Sequence, residues 1–274
     1  PKIIKFNMNK KSLYTVQDAD NLSVNEVVEL YKNYINPNQS QIFSNLPYGK
    51  DLFKSAQGVH IYTNSGKKIL DFTGGLGVLG LGHNHSKILA ARIKFQQENK
   101  MEVHKILFSN YMAALSKNMA TLLPGKLNKS FFLNSGAEAV EAAIKVCFKS
   151  YSSNKKNILF SNKSYHGKLI GSGSISGSYL KNNQFPIMEN CVSFNFNDPI
   201  DLEEKILKCQ KDGGIYAVII EPYSASLLES CSQKFIDKLF SLKKQKDFRI
   251  IYDEVFTGFF KSEKMFYFEN FKNE

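Results

Sequence analysis

The chain has 274 residues, 43% of them hydrophobic and 22% charged, with a formal net charge of +11. That length suits one large domain or two unequal ones around a substantial core, and the composition is that of a soluble globular protein. No apolar run approaches the roughly 18–20 residues that a membrane span needs, and residues 2–9 lack the apolar stretch of a secretory signal, so no membrane partner is expected.

Nucleic-acid binding gathers basic residues on one face. Here they are spread, with Lys155–Lys156 and Lys243–Lys244 far apart in the chain. No nucleic-acid partner is expected, while an anionic small ligand is compatible with the charge. The four cysteines, Cys147, Cys191, Cys209 and Cys231, show neither metal-ligand nor paired spacing. That pattern points to buried thiols, no metal site and a cytoplasmic location.

The first element is a helix over residues 22–35, with Ser23 as N-cap, Glu26 completing a capping box and Pro37 as the stop. Residues 58–72 read as two strands around the turn Asn64-Ser65-Gly66. A glycine-rich segment over 74–82 precedes a helix from Ser86 to about Lys100. Phe131–Leu133 is a short apolar run before a helix over 136–149. Asn157–Phe160 and Val192–Phe196 are strand-like, and Asp201–Cys209 is helical. Ile215–Ile220 and Arg249–Tyr252 are apolar runs on either side of an amphipathic helix, Gln233–Lys244. Short apolar runs alternating with helices predict an α/β fold, a mostly parallel sheet covered on both faces.

Open parallel sheets bind ligands beyond the carboxyl ends of their strands, so the run-ends carry the chemistry. Ser135, Gly136 and Ala137 open the helix after Phe131–Leu133. Their exposed N–H groups suit a phosphate, although the same residues make a plain Ser-capped helix. Tyr165 and His166 follow Asn157–Phe160, where an aromatic could stack on a planar heteroaromatic ligand or simply pack. Glu221 ends Ile215–Ile220, and Asp253-Glu254 ends Arg249–Tyr252. Carboxylates there are hydrated, paired or functional. Two of them suit a protonated ligand atom, a Mg²⁺ ion or loop capping. Gly75 to Gly80 matches the dinucleotide pattern GxGxxG, which would make an NAD-dependent dehydrogenase, but no helix opens at the motif.

Together these segments resemble the class III aminotransferases along nearly the whole chain. Leu70-Asp71-Phe72 with Gly80-Leu81-Gly82-His83-Asn84-His85 is similar to the family's entry motif. Asn134 to Ala139 looks like its phosphate turn, Ser164-Tyr165-His166-Gly167 its ring-stacking motif and Glu221-Pro222 its "EP". Asp253 to Phe259, with Lys264 to Glu269, resembles "DEVQTGFGRTGKMFAFE".

The resemblance implies pyridoxal 5'-phosphate as cofactor and the fold of type I pyridoxal-phosphate-dependent transferases. Residues 1–75 would be an N-terminal segment of the small domain, and 76–274 the large cofactor-binding domain. It implies that Ser135, Gly136 and Ala137 hold the phosphate, and that His166 stands beside a stacking Tyr165. Asp253 would pair with the ring nitrogen, Val255 would pack on the opposite ring face, and Glu221 would line the same crevice. It also implies a homodimer exchanging amino groups between an amine or amino acid and an oxo acid, with an aminomutase as a related outcome.

Phe256 stands where glutamine is frequent, Ser226 replaces a glutamate, and Phe260 and Lys261 take the places of glycine and arginine. The family's Schiff-base lysine would fall past Glu274. The chain is therefore expected to be a fragment that does not transaminate alone. A non-catalytic binding protein for pyridoxal phosphate or another phosphate ligand is the alternative.

Overall fold

The computed structural model describes residues 13–102, 106–151, 155–177 and 186–272; the segment over 2–9, read above for a signal, lies outside them. The chain divides into two compact units, Pro1–Lys100 and Met101–Glu274.

In the first unit, helices α1 (Val16–Asp20), α2 (Val24–Tyr34) and α3 (Pro37–Asn45) precede an antiparallel sheet. The capping box on α2 forms as expected: the Ser23 N–H donates to Glu26 Oε2 at 2.8 Å and the Glu26 N–H to Ser23 Oγ at 3.3 Å. Pro37 does more than stop that helix. It opens the next one behind an Asn36 cap, because the first helical position needs no N–H. The sheet joins β1 (Phe53–Gln57), β2 (His60–Thr63) and β3 (Lys68–Leu70). Of these, β2 and β3 are the two expected strands.

The glycine string is a turn. Gly75 and Gly77 adopt φ of 65° and 77° within a kinked segment, α4 (Gly74–Gly77). The Asp71 carboxylate fixes its entry, accepting from the Thr73 N–H at 2.8 Å, the Thr73 hydroxyl at 2.7 Å and the Gly74 N–H at 3.0 Å, and pairing with His83 Nε2 at 2.8 Å. The next helix, α5 (Ser86–Gln97), starts beyond the motif. An antiparallel hairpin feeding a turn is not the strand–turn–helix that a dinucleotide needs.

The second unit holds the α/β architecture. After α6 (Asn110–Leu122) come α7 (Gly136–Lys149), β4 (Asn157–Ser161), α8 (Ile170–Ser174), β5 (Cys191–Phe194) and α9 (Pro199–Lys211). Then follow β6 (Ile215–Ile220), the hairpin β7 (Tyr223–Ser224) and β8 (Glu229–Ser230), α10 (Gln233–Lys246) and β9 (Arg249–Tyr252). Four strands form a parallel sheet in the order β5-β4-β6-β9.

Alternating residues of the central strands serve opposite faces. Leu159, Val218 and Ile220 pack with Leu202 and Ile206 of α9 and with Phe235, Ile236 and Leu239 of α10. Ile158, Phe160, Ala217 and Ile219 pack with Val140 and Ile144 of α7. Burial on both faces is why these runs are continuously apolar, each large side chain contributing about 1.5–3 kcal/mol. Phe131–Leu133 differs from its neighbours: among the described residues it pairs with no strand, and Phe131 is 76% exposed. A three-residue run becomes a strand only when a neighbour takes up its N–H and C=O groups.

Candidate active site

Four segments converge beyond the carboxyl end of the parallel sheet. The first is the start of α7. Ser135 caps the helix, its Oγ accepting the Glu138 N–H at 3.2 Å, while Glu138 Oε2 accepts the Asn134 N–H at 2.8 Å. No carbonyl within the helix can reach the N–H groups of its first turn. Gly136 and Ala137, which open that turn, line a cleft of about 360 Å³, and the dipole at a helix start favours an anion.

The second segment follows β4 and is pinned by buried serines. The Ser164 hydroxyl has the Ser161 and Ile175 carbonyls within reach at 2.7 and 3.0 Å. Ser176 Oγ accepts the His166 N–H at 2.7 Å and stands 2.9 Å from the Ser172 carbonyl oxygen, to which it donates. Glu141 of α7 accepts the Ser172 N–H at 2.7 Å and ties the segment to that helix. Between them Gly167 sits at φ 122° against Ala137, so close that an added Cβ would meet the Ala137 Cβ at 2.7 Å. The result is a fixed loop presenting the Tyr165 ring, 42% exposed, to solvent.

The third segment is the end of β9. The Asp253 N–H donates to the Ile220 carbonyl at 2.9 Å, extending the ladder by one bond. Its Oδ2 lies 2.7 Å from His166 Nδ1, and its Oδ1 accepts the Val255 N–H at 3.0 Å. The His166 and Asp253 side chains are 0% and 3% exposed. A carboxylate can only accept, so the imidazole donates from Nδ1, and its buried Nε2 has no partner among the described residues.

Glu254, one residue on, turns away, as strand alternation requires. It takes the Thr257 hydroxyl and the N–H groups of Tyr267 and Phe268 at 3.0 and 2.8 Å, and burial pushes its carboxyl above the usual range. Phe256 stacks on Tyr223, the ring centroids 6.4 Å apart.

The fourth is the end of β6. Glu221 is buried: its Oε2 accepts the Tyr165 N–H at 2.9 Å and its Oε1 the Ala225 N–H at 3.2 Å. Burial raises its pKa, and the Tyr165 hydrogen bond pulls the other way.

Of the residues singled out from sequence, Gly136, Ala137, Tyr165, His166, Asp253 and Val255 line this cleft together. Ser135 is engaged as a helix cap, and Glu221 stands behind the wall. Lys168 and Leu169 also line the cleft and were missed; their place directly after Gly167 was the available signal. Glu141 and Ser176, which hold the loop, were missed too, since nothing in their sequence context marks them. The cleft brings together a helix start of the kind that suits an anion, an open aromatic face, and a buried carboxylate hydrogen-bonded to an imidazole.

The sequence profile of the Aminotransferase class-III family matches residues 47–273. The acetylornithine aminotransferase of Aquifex aeolicus is 33% identical over 224 residues, covering 80% of this chain and 58% of that one. The putrescine aminotransferase of Pectobacterium atrosepticum is 27% identical over 267 residues, covering 94% and 57%. Among solved structures, a transaminase from the marine bacterium Virgibacillus superposes with a TM-score of 0.78 at 22% identity, over 89% of this chain and 58% of that one. The chain therefore spans little more than half the length of these relatives. Its α/β unit has the transaminase fold, and the chain belongs to the class III aminotransferase family.

Proposed function

We propose that this chain is the cofactor-binding part of a pyridoxal-phosphate-dependent aminotransferase. The observation that carries the reading is the buried Asp253–His166 pair in one cleft with the start of α7 and an open tyrosine face. The residues fit the group. A phosphate suits the Gly136 and Ala137 N–H groups, the planar ring suits the Tyr165 face, and a protonated pyridine nitrogen suits a carboxylate that cannot leave its site.

When bound, pyridoxal phosphate supplies the electron-withdrawing ring through which an amino group passes between an amine or amino acid and an oxo acid. Asp253 would hold a proton on the ring nitrogen, keeping that ring an electron sink. His166 fixes the direction of the Asp253 carboxylate. Tyr165 and Val255 would cover the two ring faces and keep water from them. Lys168, a cation on the same wall, is placed to favour an anionic group.

In this reading residues 1–75 belong to the small domain and 76–274 to the large one, and the whole protein works as a homodimer. The exposed apolar residues Tyr111, Met112, Leu115 and Leu122 of α6, a helix with no buried residue, support an interface. A cytoplasmic location fits four cysteines that form no disulfide with one another, and among the described residues no helix is long and apolar enough to cross a membrane.

The test is a titration with pyridoxamine 5'-phosphate, which needs no lysine, followed by the near-ultraviolet circular dichroism that the ligand acquires on binding. A saturable signal displaced by inorganic phosphate is expected, and its absence would refute the reading. Borohydride trapping with pyridoxal phosphate in the native-length protein then separates an aminotransferase from a binding protein.

A further inference from the structure

The Tyr165 N–H belongs to no helix or strand, yet it is held. Its acceptor is the carboxylate of Glu221, at the end of a different strand. The other oxygen of that carboxylate takes the Ala225 N–H at 3.2 Å, from the β7–β8 hairpin. The hairpin is tied to the Tyr165 loop a second time, because Ser224 Oγ donates to the Lys163 carbonyl at 3.1 Å. The hairpin is also closed on itself: the Leu228 N–H donates to the Ser224 carbonyl, and the Tyr223 hydroxyl to the Leu228 carbonyl, both at 2.8 Å.

A buried charge is costly unless it is satisfied, and burial does push the Glu221 carboxyl up. A carboxylate at this place therefore calls for a function that a neutral side chain cannot meet. Two N–H groups from two loops need two acceptor oxygens. A carboxamide offers one oxygen and one NH₂, so it would set a donor against a donor. Hydrogen bonds to an ionised acceptor are also about twice as strong as neutral ones.

We propose that Glu221 is a positioning residue: its carboxylate sets where the Tyr165 ring stands in the cleft and couples that position to the β7–β8 hairpin. This rests on the cofactor reading above, and it replaces the sequence-based expectation that Glu221 lines the crevice. Glu221 meets the ligand only through Tyr165. The hairpin carries Ser226, one of the positions where the resemblance leads to a glutamate instead, so a change there is transmitted to the ring-stacking face.

The experiment is a double-mutant cycle on the 274-residue chain, with pyridoxamine 5'-phosphate as the probe and Glu221→Gln and Tyr165→Ala alone and combined. Tyr165→Ala keeps the backbone N–H and removes the ring. With Tyr165 present, Glu221→Gln is expected to weaken binding about tenfold and to reduce the ligand's induced circular dichroism. In the Tyr165→Ala background the same change is expected to alter affinity less than twofold. Equal losses in both backgrounds would mean direct contact or general damage, and no loss in either would mean no role; each overturns the proposal.

Amide hydrogen exchange in the ligand-free protein gives an independent measure. The Tyr165 and Ala225 amides are expected to be protected in the wild type and to exchange at least tenfold faster in Glu221→Gln, with the β4 and β6 amides unchanged. Fast exchange at Tyr165 in the wild type refutes the clamp without any variant. If the wild type binds no pyridoxamine phosphate while Tyr165 stays protected, the cofactor reading falls and the clamp stands.

Discussion

Gly167→Ala tests how the start of α7 and the Tyr165 loop are fitted together. At φ 122° an L side chain is strained, at roughly 1–3 kcal/mol. The new Cβ would also meet the Ala137 Cβ at 2.7 Å, the Ser172 Oγ at 2.9 Å and the Ala137 Cα at 3.1 Å. Overpacking of that kind costs about 1–3 kcal/mol. A less flexible unfolded chain returns about 0.4–1 kcal/mol, so the net loss should be about 2–5 kcal/mol. At the middle of that range, with a urea dependence of about 1–3 kcal/mol per molar, the midpoint should fall by roughly 1–4 M.

Gly173→Ala is the internal control. Its nearest neighbours lie 3.7 Å or more from the added carbon, and it sits inside α8. There the change should be neutral or stabilising by up to about 1 kcal/mol. The assay is urea unfolding followed by far-ultraviolet circular dichroism. Coincident midpoints for the two variants would show that the close approach of Gly167 to α7 does not matter, and the reasoning would fail.

Asp253→Asn should weaken pyridoxamine phosphate binding roughly 10–100-fold, the worth of a charged hydrogen bond of about 1.5–3 kcal/mol, as read by equilibrium titration; unchanged affinity would exclude a ring-nitrogen role. Phe260→Gly should raise the melting temperature by a few degrees, because Phe260 sits at φ 60° and is 63% exposed, and removing about 1–2 kcal/mol of left-handed strain outweighs the added chain entropy. A lower melting temperature would contradict that. Glu254 has a carboxyl raised by burial from 4.5. Such a group binds its proton more tightly when folded, so its contribution is full below pH 4.5 and is lost as pH rises through the folded value. The stability of the wild type relative to Glu254→Gln should therefore shrink as pH rises from 4.5, and a constant difference would refute the assignment.

The fold of the second unit was legible because its strands are buried on both faces and read as unbroken apolar runs: Ile215–Ile220 and Arg249–Tyr252 stand where they were expected. Helix α7 was legible from its cap and its periodicity. Strand β1 was not, since Phe53–Gln57 mixes Lys54 and Ser55 into an edge that is mostly exposed. Helix α6 was overlooked, although Ser109 caps it. In the cleft, residue types named the carboxylates but not their bearings. Alternation along β9 sends Asp253 in and Glu254 away, and Glu221 is spoken for by two backbone N–H groups. Those are facts of side-chain direction, and they follow only once register and loop path are set.

Register has a further reach. β6 and β9 pair with Ile220 opposite Tyr252, and Asp253 takes its place by donating one more bond to the Ile220 carbonyl. The spot where the carboxylate stands is thus set by the apolar side chains upstream, which decide how the two strands slide into line. A slip of one residue would keep the sheet hydrogen-bonded but send Tyr252 or Glu254 toward His166 and carry Asp253 out of reach. Core substitutions in Ile250 or Ile251 that ease this alignment would therefore yield a protein that is folded yet chemically blank, with every residue of the cleft unchanged in sequence.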